Sequence, residues 1–196
     1  MPDQTATVRG AQPDAAEPAL MAGWPAGLSI VNLRGDPHDP VFCQAAERAL
    51  QVALPTQACS TAHDAYTRIV WAGPDDWFVI SGQHAPAALC AALREHLQGL
   101  HCAVTDVTSG YRVLRLRGSR VREALAQGCP LDLHPKAFKV GQSAGSVFFK
   151  ASVWLWQTGD EPTFEVLVRR SFQDYVWEML QRGSRESGLC EWVQAG

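Results

Sequence analysis

The densest run of chemically capable side chains is Cys129-Pro130-Leu131-Asp132-Leu133-His134-Pro135. A thiol, a carboxylate and an imidazole so close together have the types needed for a nucleophile, its base and the group that orients the base, or for metal ligands. The same run follows Gly128, where a helical pattern stops. Asp132 therefore also reads as an acceptor for loop N–H groups, with Leu131 and Leu133 plugging a core. A reactive thiol needs a marked electropositive pocket, which weighs toward the loop reading. Asp106, in Thr105-Asp106-Val107-Thr108-Ser109-Gly110, poses the same choice. It is either a ligand-facing carboxylate or the hinge of a tight connection, and the Thr, Ser and Gly after it favour the connection.

Six cysteines stand at 43, 59, 90, 102, 129 and 190, with no C-x-x-C pair among them. A structural zinc site usually shows close ligand pairs, so these read as reduced thiols packed as small hydrophobes. There is no G-x-S-x-G elbow, no G-x-G-x-x-G, no P-loop and no H-E-x-x-H. These well-marked hydrolase, dinucleotide, nucleotide and zinc-protease classes are not signalled. Arg112, Arg115, Arg117, Arg120 and Arg122 form a local basic run, but the net charge is −3. That balance argues against nucleic acid and gives no polybasic membrane anchor, leaving a strand face or a partner surface. Seven tryptophans are many for 196 residues. Tryptophan and arginine anchor protein interfaces, and Trp24, Trp154, Trp156 and Arg170 are the candidate contact residues.

Hydrophobic residues make up 46% and charged residues 19% of the chain, an ordinary globular balance. No apolar run approaches the roughly 20 residues of a membrane-spanning helix. Asp3, Asp14 and Glu17 interrupt any secretory signal, so a cytoplasmic setting is expected. Residues 1–25, with Pro2, Pro13, Pro18 and Pro25, read as a flexible arm whose Leu20, Met21 and Trp24 would dock on a partner.

From about residue 26 the periodicity predicts a single α+β domain to residue 196. Strand patterns cover 28–33, 66–71, 77–80 and 101–107, with helices from Pro40 (capped by Asp39) and over 86–98. The pattern then repeats: a strand over 111–117, a helix from 118 to 128, strands over 146–156 and 164–169, a helix ending at Gly183 and a strand near 189–193. Ser171, with Asp174 three residues on, resembles a capping box for that last helix. The order is β-α-β-β-α-β twice, over about 26–108 and 109–196. Each copy is the ferredoxin-like split unit, with antiparallel sheets backed by helices.

Several of these pieces together resemble the gamma subunit of heterotetrameric sarcosine oxidase, within the folate-binding aminomethyltransferase-like superfamily. They are Gly73-Pro74-Asp75-Asp76-Trp77, Thr105-Asp106-Val107-Thr108, Gly118 with Leu125, Gly128 through Pro135, Phe138, Gly141, Arg170-Ser171-Phe172 and Tyr175-Val176-Trp177. The resemblance covers about residues 65–182. Gln142-Ser143-Ala144-Gly145-Ser146 departs from the family's usual Cys and Thr after the glycine, and the N-terminal third matches only loosely.

The resemblance implies a fold similar to the folate-binding region of aminomethyltransferases. It implies a non-catalytic subunit, in a complex that oxidatively demethylates sarcosine to glycine with formation of hydrogen peroxide and passes the one-carbon unit to tetrahydrofolate. FAD, FMN, NAD, zinc and tetrahydrofolate are then expected on the alpha, beta and delta subunits, with this chain packed chiefly on alpha. No catalytic, cofactor or metal residue is carried over. Asp106, Asp132, His134 and Ser171 are kept as structural motif residues. Two alternatives stay open: a stand-alone folate-binding or aminomethyltransferase-like protein, and the gamma subunit of a related N-methyl amino-acid oxidase or dehydrogenase.

Overall fold

The computed structural model describes residues 7–8, 18–185 and 188–193. Its elements in chain order are β1 (Thr7–Val8), β2 (Leu20–Gly23), β3 (Ser29–Arg34), α1 (Pro40–Leu50), β4 (Thr61–His63), β5 (Thr67–Gly73), β6 (Asp76–Ser81) and α2 (Pro86–His96). There follow β7 (Ala103–Asp106), β8 (Tyr111–Arg117), α3 (Val121–Ala126), β9 (Ser143–Phe148), β10 (Ala151–Gly159), β11 (Thr163–Arg169), α4 (Gln173–Gly183) and β12 (Leu189–Val193). This is the expected α+β class, with sheets built almost wholly of antiparallel pairs.

The chain divides into two compact units, and the division is not the contiguous one expected at residue 108. One unit takes 27–111 and 141–144; the other takes the described residues up to Ala26, then 112–140 and the described residues from Gly145 on.

The unit holding β3 to β7 is a five-stranded sheet in the order β4-β5-β6-β3-β7. Strand side chains alternate faces. Val31 and Leu33, Ile69 with Trp71, and Trp77 with Val79 therefore meet Phe42, Ala45, Ala46 and Leu50 of α1 and Leu89, Cys90 and Leu93 of α2 in one core. Trp77 is fully buried and donates its Nε1–H to the Pro55 carbonyl at 2.8 Å, which satisfies its polar edge. Helix α1 starts as its sequence dictates. Asp39 accepts from the Val41 N–H at 2.8 Å, Pro40 supplies a preset φ, and Gln51 closes the helix in the left-handed region at φ 56°.

The other unit is a seven-stranded sheet in the order β1-β12-β2-β8-β11-β10-β9. Here four expectations change. Leu20–Gly23, placed in the flexible arm, is instead a strand inside the sheet, with Leu20, Met21 and Ala22 almost wholly buried. The rest of that arm, apart from Thr7–Val8 and the residues from Pro18 on, lies outside the described residues. The strand expected over 146–156 is two strands, β9 and β10, turned at Phe149, whose φ is 51°. Ser171 does not cap α4. A short 3₁₀ turn over Arg170–Phe172 precedes the helix, and no side chain caps it. The turn satisfies the entry by backbone geometry, so no Ser hydroxyl is needed there. Each copy of the repeat also carries one strand beyond the expected four, β4 in one and β9 in the other, so both read β-α-β-β-β-α-β.

Candidate functional site

The most strongly built polar constellation sits on the strands of the seven-stranded sheet. Phe164-Glu165-Val166-Leu167-Val168 of β11 is buried throughout, and Glu165 is only 7% exposed. An isolated carboxylate in such a place is costly and must be paired. Strand β8 lies beside β11 and supplies Arg115. Its Nε–H and one terminal N–H donate to Glu165 Oε1, at 2.9 and 2.6 Å. From the other side β10 places Trp156 opposite Glu165, and the indole Nε1–H donates to Oε2 at 2.9 Å. The Arg115 guanidinium then lies 5.2 Å from the Trp192 ring centroid on β12. Both carboxylate oxygens are thus engaged by charged or indole N–H donors, which ties four strands to one another.

A second polar group lies in the same unit. Arg122 of α3 donates to the Leu133 carbonyl and, at 2.9 Å, to Gln157 Oε1, with its guanidinium 5.0 Å from the Phe164 ring. Burial presses its pKa down. Arg122 borders a cavity of about 370 Å³ with Pro135, Phe138, Lys139, Val140, Gln157, Asp160 and Pro162. Its effect is to pin the Leu131–Leu133 loop onto the sheet by way of Gln157.

The sequence candidates fall as follows. Asp132 accepts from the backbone N–H of His134 at 2.9 Å, and His134 Nδ1 faces the Lys136 N–H at 3.2 Å. Both side chains are exposed, whereas Leu133 between them is buried. Cys129 is buried, with Sγ 3.6 Å from Ser146 Oγ. The thiol and His134 Nδ1 thus each have other neighbours, and the loop reading of the run accounts for these contacts. Among the described residues no group of three or more His, Cys, Asp or Glu is placed to hold a metal ion.

Asp106 accepts from the Thr108 N–H at 2.9 Å. The Thr108 hydroxyl and then its N–H hold the Asp106 carboxyl below the usual carboxylate range. The Thr108 hydroxyl in turn joins the Ile30 backbone, accepting from its N–H at 2.9 Å. Asp106 is therefore the hinge of the connection after β7.

Of the four candidate contact residues, Arg170 is exposed, and Trp24 and Trp154 are half-buried. Trp24 packs on Trp177 with ring centroids 6.3 Å apart. Trp156 corrects the expectation. It is fully buried and holds Glu165, so it presents no surface to a partner. Sequence reasoning missed Glu165 and Trp192. The available signal was a lone carboxylate inside the apolar run of β11, opposite a strand carrying arginine at alternate positions.

This constellation locks strands together. The sarcosine oxidase, gamma subunit family model matches residues 34–186. The sarcosine oxidase subunit gamma of Corynebacterium sp. (strain P-1) is 32% identical over 149 residues, covering 74% of this chain and 70% of that protein. The subunit gamma of Corynebacterium sp. (strain U-96) is 32% identical over 144 residues, 73% of this chain and 69% of that protein. Among solved structures, a chain of the heterotetrameric sarcosine oxidase from Corynebacterium sp. U-96 in complex with pyrrole 2-carboxylate superposes with a TM-score of 0.81 at 29% identity, over 88% of this chain and 87% of that one. The glycine cleavage system aminomethyltransferase T from Bartonella henselae shares the fold alone, with a TM-score of 0.63 at 15% identity over 89% of this chain and 48% of that one. By the span of the family match and the identity to both relatives, the chain belongs to the sarcosine oxidase gamma subunit family.

Proposed function

We propose that this chain is the non-catalytic gamma subunit of a sarcosine oxidase-type heterotetramer and that it supports assembly by packing chiefly on the alpha subunit. The complex would convert sarcosine to glycine, reduce oxygen to hydrogen peroxide and deliver the one-carbon unit to tetrahydrofolate, in the cytoplasm. FAD, FMN, NAD, zinc and tetrahydrofolate would be held by the alpha, beta and delta subunits. The observation that carries this reading is the family match over residues 34–186. It is supported by a polar interior spent on holding strands: Glu165, Arg115, Trp156 and Arg122 are engaged within the chain.

A pull-down of the tagged chain from its native host tests this, with mass spectrometry and an absorbance spectrum of the eluate. Larger subunits with a flavin spectrum and peroxide formation on adding sarcosine are the expected result. A lone colourless chain that binds a reduced folate saturably would replace this reading with the stand-alone folate-binding one.

A further inference from the structure

The two units are built on one plan, and the place where they differ is informative. In the five-stranded sheet the last strand, β7, pairs directly and antiparallel with the first, β3. The equivalent strands of the other sheet are β12 and β8, and they do not pair with each other. Strand β2 lies between them, parallel to β12 and antiparallel to β8. Setting aside β1 at the sheet edge and taking β2 out of the order leaves β12-β8-β11-β10-β9, which repeats β7-β3-β6-β5-β4 element for element. Strand β2 is therefore an addition to the repeat, seated in a slot that the repeat itself does not contain.

The slot is specific. Its backbone registers Leu20, Met21 and Ala22 against Leu189, Cys190 and Glu191 on one side. On the other it registers Met21, Ala22 and Gly23 against Arg117, Leu116 and Arg115. Leu20, Met21 and Ala22 are buried in it. At the fourth position a Cβ would lie 2.2 Å from the Trp192 carbonyl oxygen, so only glycine fits. The occupant is a short segment joined to β3 through exposed Ala26 and Gly27. Main-chain pairing on both sides with side-chain selection at alternate positions is how a sheet binds an added strand.

We propose that the channel between β8 and β12 is a strand-binding groove. Residues 20–23 fill it in cis, and once that strand is cut free the groove takes an extended peptide of the same chemistry, two large apolar residues, a small one and glycine.

The test uses the full chain with a protease recognition sequence replacing residues 25–27, cleaved after folding. The expected result is that the N-terminal fragment stays with the body through gel filtration. A fluorescent synthetic copy of residues 18–26 then replaces it, while the same peptide carrying Gly23→Val binds at least roughly 10-fold more weakly. The uncut chain takes up neither peptide. Loss of the near-ultraviolet dichroism on cleavage would overturn the proposal, since β2 would then be inseparable from the fold. So would equal uptake of both peptides, no uptake by the cleaved protein, or uptake by the uncut chain.

Discussion

Glu165 concentrates the energetics of the seven-stranded sheet at one side chain. Its carboxylate takes three N–H donors from two neighbouring strands. Truncating one partner of a buried pair leaves the other uncompensated. Arg115 keeps 36% of its side-chain surface, which moderates that penalty. Glu165→Ala should lower the unfolding free energy by about 2–3 kcal/mol in urea titrations followed by tryptophan fluorescence. The double variant Arg115→Met with Glu165→Leu should lose clearly less than the sum of the single losses, because it removes both charges and keeps apolar volume. Full additivity would mean that the two groups do not interact.

Asp106 gives a pH prediction of definite sign. Its folded-state pKa is depressed by Thr108, so its contribution is present above the unfolded carboxylate value and is lost as pH falls through the folded one. Asp106→Asn keeps an acceptor but does not titrate. The stability gap between wild type and this variant should hold steady down to about pH 4 and close below it, as measured by urea midpoints across that range. A gap that widens on acidification would contradict the assignment.

At the scale of elements, Asp39 and Pro40 show how far local chemistry reaches. Cap and first-turn residues marked the start of α1 correctly, because one side chain and one ring suffice to define it. Asp39→Ala should cost about 1 kcal/mol, read as a lower thermal midpoint with unchanged helical dichroism. The equivalent expectation at Ser171 failed because the 3₁₀ turn shifts the helix start past it. Strand β2 was hidden for a different reason. Leu-Met-Ala-Gly has no β-branched or alternating signal, and prolines stand on both sides of it. Its conformation is imposed by β8 and β12, which the local sequence cannot report. The β9–β10 turn was hidden because Phe149 takes a positive φ where glycine or asparagine is the usual marker. Its ring lies over Gly128, where an added Cβ would come within 2.4 Å of it. Gly128→Val should therefore destabilise this hairpin and raise amide exchange at Phe148 to Ala151. Exchange that stays at the wild-type level would show the ring free to move aside.

The whole molecule repeats one split unit, and the element order that suggested this was legible before the sheets were. The site was less so. Tryptophan and arginine abundance pointed outward to partners, whereas Trp156 and Arg115 turn inward to a carboxylate. No helix among the described residues is long and apolar enough to cross a membrane. If the chain is an assembly subunit, its one suggestive thiol is dispensable for the chemistry. In the reconstituted complex Cys129→Ser should retain oxidase activity within about twofold. A loss of several orders of magnitude at unchanged subunit content would identify a nucleophile instead.

The insertion of β2 also sets a clock on biosynthesis. Residues 20–23 leave the ribosome before β8, and β12, the parallel neighbour, emerges only when residues 189–193 have been made. At about 5–20 residues per second, β2 waits on the order of 10–30 s for its second side to exist. Through that interval a buried apolar strand is half-covered at best, so the nascent chain is exposed to aggregation at β2, and the sheet closes around it only after β12 has emerged.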